Sequence, residues 1–122
     1  MKKLLLASLT LIGTFGFAKA ANVLTINNLT PCPYTLSISG GGIVTIGPGI
    51  TTVNSFPAVN IDDVKIVYIF GGSTATQVNV GFTHPYHNSI GQPTPPCITS
   101  STFFTGSWAQ ATPSSNATLV IF

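Results

Sequence analysis

From Val23 onward, apolar and polar residues alternate in short runs, with a period of two rather than the roughly 3.6 of a helix. In YTLSISG, Tyr34, Leu36 and Ile38 share one face while Thr35, Ser37 and Ser39 share the other, the pattern of a half-buried antiparallel strand. VLTINN places Leu24 and Ile26 inward in the same way, and TPCP turns the chain between the two runs. A short strand from Ile43 to Ile46 is bounded by Gly40 to Gly42 and by a Pro48-Gly49 turn; TTVNSF continues beyond it and ends before Pro57. From Val64 to Phe70 both faces are apolar apart from Lys65, which predicts a central strand buried on both sides. TQVNVGF returns to alternation, with Val78, Val80 and Phe82 inward.

Thr83 to Pro96 carries Pro85, Pro93, Pro95, Pro96 and Gly91, and reads as a long, partly extended surface loop. STFFTGSWAQAT and NATLVIF follow, two further β-like runs separated by Pro113, Ser114 and Ser115. Phe104 and Trp108 share one parity, and Gly106 between them leaves room for the indole to lie across the strand. In the last run Ala117, Leu119 and Ile121 fall on one face and Thr118, Val120 and Phe122 on the other. The second face is too apolar to sit comfortably in water. The run is therefore either an interior strand or an edge where a second chain covers Val120 and Phe122. Seven or eight short strands predict a single all-β domain: an antiparallel β-sandwich of Greek-key, immunoglobulin-like outline, with a small β-barrel as the alternative.

The leader changes what the composition means. Lys2 and Lys3, an apolar stretch from Leu4 to Phe17 and the small-x-small site Ala18-Lys19-Ala20 make residues 1–20 a secretory signal peptide. The apolar stretch is too short for a membrane span of about 20 residues, and Gly13 and Gly16 interrupt it. Cleavage leaves residues 21–122 as the β-sandwich domain, with no cysteine at the new terminus to carry a lipid. Three of the four lysines leave with the leader, so Lys65 faces Asp62 and Asp63 for a formal balance of −1, with no Arg and no Glu anywhere. No basic cluster exists to neutralise phosphates or anionic lipid, which excludes nucleic acid and membrane surfaces as partners. So little charge also leaves little to oppose association of the protein with itself.

Cys32 and Cys97 are the only cysteines. In the oxidising compartment that a signal peptide implies, they are expected to form one disulfide. Catalytic constellations are absent from the pattern. Two adjacent aspartates cannot flank a glycosidic bond, no nucleophile elbow appears, and Gly40 to Gly42 is not followed by the Lys-Ser/Thr of a phosphate loop. The expectation is a protein that is not an enzyme and needs no cofactor. Two binding chemistries stay open. His84 and His87, spaced i, i+3 around Tyr86, offer two imidazoles to zinc or copper but need a third ligand. Tyr86 and Trp108 offer aromatic faces to a neutral glycan, as in a carbohydrate-binding module.

The opening VLTINNLTPCPYTLSISG followed by IGPGITT resembles the start of thaumatin-like proteins, but these carry many more cysteines and an acidic cleft, which excludes them. With its two cysteines and a Gly-x-Trp before a last apolar strand, the chain is similar to small uncharacterised secreted all-β proteins of Bacteroidetes-type bacteria. That resemblance implies a secreted β-domain and brings no functional residues with it. The chain therefore reads as a secreted or cell-surface protein acting through association, with itself or with an envelope protein complex. Leu119, Val120 and Phe122 are the candidate contact, and strand addition at an unguarded sheet edge is the expected mode.

Overall fold

The alternating runs fold into nine strands, described by a computed structural model for residues 21–70, 72 and 74–122; the expected signal peptide, residues 1–20, lies outside the described residues. They are β1 (Val23–Asn28), β2 (Tyr34–Ile38), β3 (Gly42–Ile46), β4 (Gly49–Asn54), β5 (Asp63–Phe70), β6 (Thr74–Gly81), β7 (Tyr86–Asn88), β8 (Thr105–Gln110) and β9 (Ala117–Ile121). Two sheets result, with strand orders β4-β1-β9-β8-β7 and β3-β2-β5-β6. They pack face to face as a sandwich and do not close into a barrel. Among the described residues no helix is long and apolar enough to cross a membrane.

Each sheet contributes its inward parity to one core. Leu24, Ile26, Leu119 and Ile121 from the five-stranded sheet meet Leu36, Ile66, Val78 and Val80 from the four-stranded one. Tyr34, Tyr68 and Phe104 cluster among them, with ring centroids 5.0 Å (Tyr34–Phe104) and 5.3 Å (Tyr68–Phe104) apart. The second spacing is an edge-to-face contact, an arrangement that aromatic rings favour. Gly106 faces this core, and a Cβ there would lie 3.0 Å from Ile66 Cδ1 and 3.2 Å from Val80 Cγ1. The glycine thus makes room for the opposite sheet rather than for the indole.

Four expectations are corrected. The sandwich is not purely antiparallel, because the first strand runs parallel to the last, with Ile26 opposite Leu119. The stretch from Thr83 to Pro96 is not all loop. It contains β7, which pairs with β8 through Tyr86–Ser107, His87–Gly106 and Asn88–Thr105 and is too short to display any alternation. Phe82 does not point into the core. The strand ends at Gly81, where a bridge to His84 turns the chain outward, and Phe82 is left exposed. Finally, β5 is central but buried on one face only. Val64, Ile66 and Tyr68 are inside, whereas Lys65 and Ile69 are exposed and Val67 is half-buried. Its second face looks out of the sandwich, since among the described residues no third layer covers the sheet.

Buried polar groups clamp both ends of β1. The Asn22 side chain donates to Ile61 O and Ser115 O at 2.8 Å each and accepts from Ile61 N at 2.8 Å. At the other end Asn28 donates to Cys32 O at 2.7 Å and Gly47 O at 3.1 Å, and accepts from the Thr30 amide and hydroxyl at 3.0 and 2.7 Å. Satisfied amides of this kind stabilise a fold, whereas an orphaned one would cost about 1–3 kcal/mol. Asn28-Leu29-Thr30, which matches the Asn-x-Ser/Thr glycosylation pattern, is therefore a structural turn with a buried asparagine.

Cys32 and Cys97 are bonded across 65 residues of sequence, with Cα atoms 5.4 Å apart. In the chain-entropy account a loop of that length contributes about 4 kcal/mol. Replacing both cysteines with alanine is expected to lower the unfolding free energy by about that amount. Urea denaturation of the oxidised protein against the double variant measures it.

Candidate functional site

The outer faces of the two sheets carry the features on which a function can rest. On the five-stranded sheet the outward parity runs in rows across the strands. One row is Ile50, Asn27, Val120, Ser107 and Tyr86, aligned by the pairings Asn27–Ile50, Asn27–Val120, Ser107–Val120 and Tyr86–Ser107. Beside it Leu29 and Phe122 continue their strands on the same face, held by Leu29 N to Ile121 O at 2.7 Å and by paired bonds between Phe122 and Thr105. Ile50 (71%), Leu29 (63%), Tyr86 (62%) and Phe122 (50%) are exposed, and Val120 is half-buried between them. The neighbouring row is Thr52, Thr25, Thr118 and Ala109. No charged side chain stands on either row.

The outer face of the four-stranded sheet holds a groove of about 500 Å³. Its floor crosses all four strands: Thr45 of β3, Thr35 of β2, Val67 and Ile69 of β5, and Ala75 of β6. Pro33, Pro95 and Pro96 wall it beside Cys97. The wall is held in place by its anchors. The disulfide fixes Cys97, the Tyr68 hydroxyl donates to Pro93 O at 2.6 Å, Thr94 Oγ1 donates to Thr102 O at 2.8 Å, and Thr76 and Gln92 are hydrogen-bonded through their side chains. Burial pushes the Tyr68 phenol above its ordinary 10.0, against a hydrogen bond with Ser89 that lowers it. Tyr34 is likewise raised, by burial first, with its bond to Thr30 opposing.

The acidic, basic and imidazole side chains gather where β5 begins and β6 ends, with Lys65 on the same outer face as the groove floor and two residues from Val67. Asp63 opposes Gly81 and Lys65 opposes Asn79, where β5 begins and β6 ends. His84 Nε2 meets Asp63 Oδ1 at 3.0 Å, while His87 Nδ1 meets Asn79 O at 2.9 Å. The two histidines thus have separate partners, and among the described residues no group of three or more His, Cys, Asp or Glu is placed to hold a metal ion. Trp108 is 4% exposed, with Nε1 donating to Gln110 Oε1 at 2.9 Å. It is a core residue and offers no stacking face, so Tyr86 stands without its aromatic companion. Leu119 is fully buried and leaves the candidate contact, whereas Val120 and Phe122 remain on the outer face.

Leu29 and Ile50 carry no signal in the sequence that marks them as contact residues, and the groove as a site is not legible there. Leu29 follows Asn27 at the outward parity, which the TPCP turn masks. The sequence pattern predicts that Val67 and Ile69 lie on a second buried face, and that same apolar run furnishes the centre of the groove floor. No protein-family model, curated protein or solved structure matches the chain.

Because Tyr34 and Tyr68 ionise later in the folded chain than in the unfolded one, the unfolded state releases their protons first as pH rises. Stability is therefore expected to hold up to about pH 10 and to fall above it. Urea midpoints against pH check this, and Tyr68→Phe should flatten the alkaline decline while costing about 1 kcal/mol at neutral pH through the lost bond to Pro93.

Proposed function

We propose that this is a non-enzymatic secreted or cell-surface protein that works by associating with protein, as a subunit of a surface assembly. The observation that carries the reading is the uncharged strip of Leu29, Ile50, Val120, Phe122 and Tyr86 on the outer face of the five-stranded sheet. A monomeric protein seldom leaves neighbouring large apolar side chains in water, and contiguous patches of this kind mark contact surfaces. Four further observations support it. The Cys32–Cys97 disulfide suits an oxidising compartment. Lys65 sits on the interior strand β5, so the edge strands β3, β4, β6 and β7 carry no lysine, arginine or carboxylate that would discourage another chain. The last strand is built into its own sheet between β1 and β8, which leaves its outer face, rather than its backbone, to make the contact. A glycan surface built on Tyr86 and Trp108 loses support through the burial of Trp108.

Light scattering and electron microscopy of the disulfide-bonded protein test this. Association that grows with concentration is expected, and Phe122→Asp should weaken it at least tenfold while changing the unfolding free energy by only about 0.5 kcal/mol, as for a surface site. A wild-type protein that stays a monodisperse monomer at every concentration overturns the reading.

A further inference from the structure

The five-stranded sheet ends at β4, and what this strand offers to solvent at its edge is backbone. Ser55 N donates to Asn22 O at 3.0 Å, so Asn22 and Ser55 form a hydrogen-bonded pair, and in an antiparallel ladder such pairs alternate with unbonded ones. Carried along the register, the alternation makes Leu24–Val53, Ile26–Thr51 and Asn28–Gly49 the bonded pairs. The odd-numbered residues of β1 turn to the other side, with Val23 N bonded to Asn116 Oδ1 and Leu29 N to Ile121 O. The N–H and C=O groups of Ile50, Thr52 and Asn54 therefore point away from the sheet, and among the described residues no other group bonds them.

We propose that this edge takes the β4 strand of a second copy of the chain, antiparallel and centred on Thr52, so that two five-stranded sheets join into one across a closed two-fold dimer. This rests on the association reading and names the edge and the register through which two copies first meet.

The free stretch itself selects that occupant, because it is bounded at both ends. The next residue of the same direction before it is Pro48, which has no N–H, and the next after it is Phe56, whose N–H is already donated to Gly40 O at 2.8 Å. What remains is symmetric about Thr52. Laid against itself, the strand pairs Ile50 with the partner's Asn54, Thr52 with the partner's Thr52, and Asn54 with the partner's Ile50. Every free group then meets its counterpart, whereas a longer foreign strand would face a missing donor at each end.

Side-chain parity agrees with this register. Outward side chains meet outward ones, and the half-buried Thr51 comes to lie beside the partner's Val53 at the open margin of the core. The outer row Thr118, Thr25 and Thr52 continues into the partner's Thr52, a cross-strand pair that sheets favour. Neither β4 nor β1 bears a charge, so no like charges are brought together at the axis. The other edges are less open. β7 has three residues, and β6 is overlaid where Gly81 bonds His84, Asn79 O meets His87 Nδ1 at 2.9 Å and Thr76 bonds Gln92. β3 begins beside the Phe56 ring, whose Cζ is 3.3 Å from where a Gly42 Cβ would stand. A two-fold axis perpendicular to the sheet also keeps both outer faces on one side, so the two strips share a surface twice as broad for further copies to meet.

The test uses the disulfide-bonded protein and reads species by sedimentation velocity, with circular dichroism and urea midpoints verifying the fold of each variant. Thr52→Pro removes one outward N–H and no bond to β1, a setting in which an edge strand tolerates proline. It should weaken the wild-type dimer at least tenfold. Because Thr52 meets itself across the axis, Thr52→Lys and Thr52→Asp should each be monomeric, and their equimolar mixture should restore a one-to-one dimer. That pair decides the matter should the proline variant fold poorly. If all three variants dimerise as the wild type does and only Phe122→Asp splits the dimer, the contact belongs to the strip; the edge proposal falls and the association reading stands. Lysine and aspartate variants that fail to recover one another also overturn the edge pairing. If the wild type never associates, both readings fall together.

Discussion

The parallel pairing of the first and last strands is the constraint on which the remainder of this sandwich depends. β1 enters between β4 and β9, so the five-stranded sheet is complete only once the whole domain has been threaded through the other sheet. Parallel pairs are slightly weaker per residue than antiparallel ones and require long connections. Here the buried amides of Asn22 and Asn28 reinforce the pair at both ends. Asn22 ties the chain to the β4–β5 loop at Ile61 and to the β8–β9 turn at Ser115. Asn28 ties it to Cys32 and Gly47. Misplacing β1 by one residue would turn Leu24 and Ile26 outward and strand both amides, so register and polar satisfaction specify the same arrangement.

The opposite sheet has a corresponding device in its proline-rich segment. A stretch with four prolines and few backbone donors has little regular structure to hold it, and side chains from elsewhere place it: Cys32 through the disulfide, Tyr68 through Pro93, and Thr76 through Gln92. The Tyr68 ring belongs to the aromatic core while its hydroxyl reaches the loop. Packing in the interior thereby sets the position of a wall on the exterior, and the groove inherits the rigidity of the core.

The surface follows from a domain nearly without charge. Thr, Ser, Asn and Gln supply most of its polarity, and the few acidic, basic and imidazole groups are concentrated toward one end of the four-stranded sheet. What opposes association elsewhere is therefore only the hydration of hydroxyls and amides. Apolar side chains standing among them have nothing charged to shield them, and the two outer faces differ accordingly: one bears a raised strip, the other a recess.

Much of the architecture was legible from residues alone. Period-two alternation located β1, β2, β6, β8 and β9, because burial on one face of a pleated strand imposes that pattern locally. The disulfide followed from cysteine count and leader. Val120 and Phe122 were recognisable as apolar side chains on the wrong parity. Other features depend on which strands become neighbours, which no local pattern records. That Val67 and Ile69 face outward follows from the absence, among the described residues, of a third layer over β5, and β7 exists because β8 offers an unpaired edge to three residues. The sequence by itself determined a disulfide-bonded, charge-poor β-sandwich with apolar residues on both sides of its strands. The tertiary structure alone decided that the first strand runs parallel to the last, that Trp108 and Leu119 are interior, and that the surplus apolar residues gather into a strip and a groove on opposite faces, because strand order and layer number are set by contacts between residues far apart in the chain.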